Sequence, residues 1–172
     1  MKNFIAILTI IVFSTSCISQ TNDLSVLQYQ NIKFDGNLIT DIIDTRGSLT
    51  QLNQYFNESF NHSTYNEPSY TVIYNTISVE LTFKDGERDS NNLISDYQLT
   101  NLKLKDSSKS LFINGIALSV GDNINILGAV NSMNDPSTRQ KKVVFRIGSE
   151  VIRISFNRNT NVITLIEYEY FN

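Results

Sequence analysis

The chain has no tryptophan, one cysteine, one histidine and two prolines, and each shortage removes a class of protein. One cysteine cannot form an internal disulfide, so in an oxidising compartment the fold must be held by packing. One histidine, His62, rules out a zinc site built on two imidazoles, and no cysteine set replaces it. Positive charge is also scarce: 14 Lys and Arg stand against 17 Asp and Glu. The longest basic cluster is RQKK at 139–142, which is too little for the electrostatic footprint of a nucleic-acid binder. There is no phosphate-binding loop, no dinucleotide fingerprint and no serine set among nucleophile-elbow glycines. Alanine occurs three times, while Asn, Ile, Ser, Thr and Tyr abound. That balance favours strands and turns over long helices. With 41% hydrophobic residues in 172, the chain can bury the core of one domain or of two small ones.

What is present begins with MKNFIAILTIIVFSTSC, residues 1–17. A lysine behind the initiator, an apolar run from Ile5 to Phe13 and then small residues make a secretory signal. The run is well short of the roughly 20 apolar residues that span a bilayer. Cys17 stands where a bacterial lipoprotein signal places the residue that is lipidated after cleavage, and FSTSC resembles such a lipobox, with Ser14 where an aliphatic residue is usual. A second cut is open, after Ser19, with Gln20 as the new N-terminus; Cys17 would then be removed. The expected location is the envelope, through a lipid on Cys17, or outside the cell as a soluble protein. Residues 18–29 read as a short linker.

From there the sequence repeats itself. KFDGNLIT places two short strands around Asp35-Gly36, and FINGIALS does the same around Asn114-Gly115; both are strong hairpin signals. A helix should follow each. In the first copy Ser48 and Gln51 have capping-box spacing, and Leu49, Leu52, Phe56 and Phe60 form one stripe. In the second Asp122 is the expected cap, with Ile124, Leu127 and Val130 as the stripe. After a polar loop, Tyr70, Val72 and Tyr74 match Val143, Phe145 and Ile147 in register, and Val79, Leu81 and Phe83 match Ile152, Ile154 and Phe156. Two-residue turns at Asn75-Thr76 and Gly148-Ser149 should join these strands. LISDYQLTNL from residue 93 and NVITLIEYEY from residue 161 close the units. The expectation is an α+β fold of two tandem hairpin-helix-three-strand units, residues 30–105 and 106–172, sharing one antiparallel sheet with both helices on one face. A unit this small buries little alone, which is a physical reason for the doubling.

A tandem of helix-then-antiparallel-sheet units behind a signal peptide resembles the beta-lactamase inhibitor protein fold and the small outer-membrane-assembly lipoproteins. The hairpin wording followed by S-L-x-x-L also resembles small Bacteroidota envelope domains of unknown function. The resemblance covers residues 30–170 by pattern and implies the fold. The inhibitor family is stapled by disulfides, which this chain lacks, and no residue role carries over.

Catalytic constellations are thin. His62 beside Ser63 and Glu67 is the nearest approach to a triad, and Glu167 with Glu169 is a carboxylate pair on one strand face. One metal pattern exists: Asp85, Glu87, Asp89, Asn91 and Asp96 have calcium-loop spacing, with Ser90 where that loop requires glycine. Binding residues are sought first on the loops that join helix to strand, where Tyr65 and Tyr70 in one copy and Met133 and Arg139 in the other could form a rim. They are sought next on the polar sheet face, where Ser78, Glu80, Thr82, Lys84, Arg153 and Ser155 alternate with core positions. The functional expectation is a non-enzymatic envelope binding module without cofactor, with a protein partner. The alternatives are an assembly lipoprotein of an envelope complex, or an inhibitor or immunity protein against a secreted enzyme.

Overall fold

The computed structural model describes residues 21–65, 70–85, 97–135, 138 and 140–171. Strand β1 (Asn22–Asp23) leads through the buried Leu24 into helix α1 (Val26–Gln30). The stretch read as a linker is therefore structured over its described part. Its helix starts with a capping box: Gln28 N donates to Ser25 Oγ at 3.2 Å, and Ser25 N donates to Gln28 Oε1 at 2.9 Å. This reciprocal pair satisfies backbone donors that a five-residue helix cannot satisfy internally.

Strands β2 (Lys33–Phe34) and β3 (Asn37–Leu38) flank the Asp35-Gly36 turn, where both residues have positive φ, 52° and 84°. Two helices follow. Helix α2 (Ile39–Asp44) buries Ile39 and Ile42, and α3 (Leu49–Phe56) buries Leu52 and Phe56. Full burial of such side chains contributes about 1.5–3 kcal/mol each. Ser48 is the N-cap of α3 without making a side-chain cap bond, so the capping box expected there does not form. Phe60 lies beyond the helix end at Asn57 and packs edge-on against Phe56 and Tyr74, with ring centroids 5.8 and 6.5 Å away.

Then come β4 (Asn61–Tyr65), β5 (Thr71–Asn75), β6 (Val79–Asp85) and β7 (Tyr97–Leu104). The turn between β5 and β6 spans Thr76–Ser78, one residue longer than the two-residue turn expected, and Thr76 N donates to Val79 O at 2.9 Å. The chain continues with β8 (Ser110–Ile113), β9 (Ile116–Ser119), β10 (Ser132–Asn134), β11 (Gln140–Ile147), β12 (Glu150–Asn157) and β13 (Ile163–Tyr170). The second helix expected after Asp122 is only a 3-10 turn, Ile124–Leu127. Asn123 caps it by accepting from Asn125 N at 3.0 Å, and Gly128 ends it with φ 71°. Side-chain competition for the backbone and a glycine leave too little for a full helix. Asp122 is not the cap; its carboxylate accepts from Ser119 N at 2.7 Å.

The main sheet runs β1-β11-β12-β13-β7-β6-β5-β4, with β10 beside β1 on the outer edge of β11; β1 is parallel to β11 and the other pairs are antiparallel. The hairpins do not join it. They pair with each other into a second sheet, β3-β2-β8-β9, which corrects the expectation of a single sheet with only helices over it. One core cluster unites the layers: Phe34, Ile42, Phe56, Leu111, Ile113 and Leu118 pack with Leu81, Phe83, Leu102, Ile154, Ile166 and Tyr168. The fold is α+β and antiparallel-dominated.

Candidate functional site

Because side chains alternate along a strand, filling the core with one face of the main sheet turns the other face outward. Register places Arg153, Glu167, Lys103, Glu80 and Asn75 in one row across β12, β13, β7, β6 and β5. The signs alternate along its first four positions. Lys103 Nζ donates to Glu80 Oε1 at 2.7 Å, and Arg153 is paired with Glu169, two residues beyond Glu167 along β13. Of the residues expected on this face, Glu80, Thr82 and Lys84 lie in its rows, while Ser78 and Ser155 are buried.

The register of this sheet shifts in two of its pairs, β12–β13 at Ser155/Phe156 and β6–β7. Between Thr82 and Phe83 the β6–β7 register shifts, so that Thr82 opposes Asn101 and Phe83 opposes Leu99. Thr100 is the extra residue, and its hydroxyl donates to Thr82 O at 3.2 Å. Such a bulge re-aims side chains and recurs beside binding and active sites. Here it opens a cleft of about 300 Å³ lined by Thr82, Lys84, Thr100, Asn101, Glu169, Tyr170 and Phe171. Asn101 donates through Nδ2 to Glu167 Oε1 at 3.4 Å. Its Oδ1 is buried without a hydrogen-bond partner, and no other side-chain N or O atom among the described residues shares that state. A buried acceptor left open costs free energy until a donor arrives. At the rim Phe171 is 50% exposed, with the Arg153 guanidinium over its ring at 5.5 Å. The cleft is lined by a carboxylate, three hydroxyl side chains, an ammonium and an aromatic face, with the open Asn101 carbonyl buried beneath them. These groups suit the polar and aromatic side chains of a protein surface.

The binding residues expected from sequence fall in different places. Arg153 is at the cleft. Tyr65, 54% exposed, stands opposite Thr71, which stands opposite Lys84, so it shares the outer face. Met133 opposes Lys142 and lies on that face near the far edge. Tyr70 goes the other way: it is half-buried against the core, its ring 5.9 Å from Tyr97. Arg139 lies outside the described residues, as do Cys17, Glu67, Glu87, Asp89, Asn91 and Asp96; Asp85 closes β6. His62 sits 6.1 Å from the Tyr74 ring, on the core side of β4, so Ser63 points to the opposite face and the two cannot act together. Glu167 and Glu169 share the outer face, bonded to Asn101 and Arg153. The bulge, Asn101 and Phe171 escaped the sequence reading; the polar pair Thr100-Asn101 inside an apolar alternation was the available signal.

Other polar clusters serve the framework. Tyr29 donates to Glu150, and Tyr168 donates to the same oxygen at 3.2 Å, fastening α1 to the main sheet. Burial first, and then the Glu150 carboxylate, push both phenols well above the ordinary tyrosine range. Asp106 accepts from Ser108 and Ser78 in the turn before β8, which holds its carboxyl below the ordinary range. Comparison of the chain with protein-family models, with curated proteins and with solved structures returns no match.

Proposed function

We propose that the chain is an exported, non-enzymatic binding module of the cell envelope, anchored by lipid on Cys17, that takes a protein partner on the outer face of its main sheet. The observation that carries this reading is the bulge cleft, where an unpartnered buried carbonyl on Asn101 lies beside the Arg153–Phe171 stack. Arginine and aromatic residues dominate the energetics of protein interfaces. The two-unit organisation belongs to the same reading. It is supported by the pairing of β7 with β13 and of β2 with β8, since each pair takes one strand from each half of the chain. Joined in this way, the halves make a face broader than either could offer.

The test is crosslinked affinity capture of the tagged full-length protein from envelope, with Cys17→Ala as the localisation control. A partner is expected at near-equal amount, and Arg153→Ala with Phe171→Ala should weaken its binding by ~30-fold or more, as for an interface hot spot of about 2 kcal/mol. Tyr65→Ala should reduce affinity and leave the melting temperature unchanged. Capture that is equal with and without the Arg153–Phe171 pair refutes the placement of the site.

A further inference from the structure

One surface remains unused by that reading. Helix α1 contains no charged residue and leaves Val26 and Leu27 65% and 68% exposed. Beside it the small sheet turns outward a row formed by Leu38, Lys33, Phe112 and Ala117, joined by direct cross-strand pairing. Phe112 is 36% exposed, although every residue on the opposite face of its hairpin is buried or packed against the core. The helix and the hairpin are fastened together, since Gln28 Nε2 donates to Asn114 Oδ1 at 3.1 Å. Between them lies a hollow of about 410 Å³ with Leu27 and Phe112 on its walls. Gln28, Asn31, Asn114 and Gly115 complete the hollow's lining, and in the strand row Lys33 stands between Leu38 and Phe112.

Its place along the chain says what covers it. Asn22 is clamped to the sheet: its side chain donates to Asn131 O at 3.0 Å and to Val144 O at 3.1 Å, and accepts from Asn131 N at 2.9 Å. From Cys17 to Asn22 the chain can reach at most about 18 Å. The clamp therefore holds the sheet edge close to any anchor on Cys17, and α1 begins only four residues further on. Val26 and Leu27 are the exposed apolar residues nearest to Cys17 in the described chain. We propose that Val26, Leu27 and Phe112, with Lys33, form the surface that the folded domain lays on the bilayer that holds its anchor. The apolar side chains enter the headgroup and acyl boundary, and Lys33 meets lipid phosphates. A firm seat turns the domain in a defined direction, which a loose tether would not. The inference rests on lipidation of Cys17.

The experiment uses the full-length protein made in a host that processes lipoproteins and reconstituted into vesicles of phosphatidylethanolamine and phosphatidylglycerol with brominated acyl chains. Lipidation consumes the Cys17 thiol, so an environment-sensitive dye can be placed on Ala117→Cys beside the patch or on Ser63→Cys on β4. The Ala117 label should be quenched several-fold more than the Ser63 label. Adding Leu27→Ser and Phe112→Ser should abolish the difference while the protein still floats with the vesicles. Equal quenching of the two labels in floating protein overturns the inference and leaves the anchor standing. A Cys17 thiol that stays free, with protein that does not float, overturns both. A dye shift that grows with protein concentration before vesicles are added marks a second copy on the patch and overturns the lipid assignment.

Discussion

Lys109 is the cation on which the two halves of the chain converge, and its removal should be costly. Its side chain is 11% exposed and reaches Asp35 Oδ2 at 2.9 Å, Glu58 Oε1 at 3.1 Å and Phe56 O at 2.6 Å. Asp35 belongs to the first hairpin turn, Phe56 ends α3, and Lys109 itself precedes β8. An exposed ion pair contributes about 0.2–1 kcal/mol, whereas breaking a buried one costs about 3–5 kcal/mol because a charge is stranded. Lys109→Met keeps the stem but strands two carboxylates and a helix-terminal carbonyl, so about 2–3 kcal/mol is expected. With a urea slope of about 2 kcal/mol per molar, the midpoint should fall by roughly 1–1.5 M. With no tryptophan present, tyrosine fluorescence and far-ultraviolet circular dichroism should report one coincident transition. Asp35→Asn, which tolerates the positive φ of that position, should recover part of the loss in the Lys109→Met background. Burial alone would lower the Lys109 pKa, but the hydrogen bonds and charges of Asp35 and Glu58 outweigh it and hold it above its ordinary 10.5. A cation raised in the folded state contributes stability that is complete below its unfolded value and is lost as pH rises through the folded one. The gap between wild type and Lys109→Met should therefore be constant through neutral pH and close only in strong alkali. A midpoint shift under about 0.5 M would place the cluster among screened surface pairs and refute the reasoning.

Two further outcomes follow from local geometry. In a spectrophotometric titration, Tyr29 and Tyr168 should ionise only as the fold opens, and Glu150→Gln should bring both phenols down toward the exposed tyrosines; early, independent ionisation would contradict the cluster. Gly47 has φ 76°, and its carbonyl accepts from the Tyr74 hydroxyl at 2.6 Å, while an added Cβ would meet Phe83 at an ordinary 3.5 Å. Gly47→Ala should thus cost about 1–2 kcal/mol from backbone strain alone, and Gly47→Asn less, as thermal melts would show.

What could be read from sequence were the features with strong local chemistry. Asp35-Gly36 and Asn114-Gly115 announce their turns because few residues tolerate positive φ, and the alternation of Val79, Leu81 and Phe83 or of Ile152, Ile154 and Phe156 follows from burying one face. Strand β4 carried no such mark: all five of its residues are exposed, so an edge strand looks like a polar loop. Strand β10 is three residues long, too short for an alternation to show. Helix α2 was missed because six residues offer too few turns for a period to emerge, and α1 because Val26 and Leu27 face outward and leave Tyr29 alone on the inner side. The cleft was invisible for a different reason. A bulge is a mismatch between two strands, and nothing within β7 alone states which residue of β6 will lack an extra partner.

Strand order also governs how the protein comes into being. The strand at the middle of the main sheet, between β12 and β7, is β13, the last to leave the ribosome of all those described. Within the main sheet, β4 to β7 meet the second half of the chain only through β13, so the sheet's central pairing has a long loop to close, and such pairings form slowly. The small sheet can join the two halves earlier, through β2 and β8, whereas the main sheet is complete only when β13 pairs on both its edges.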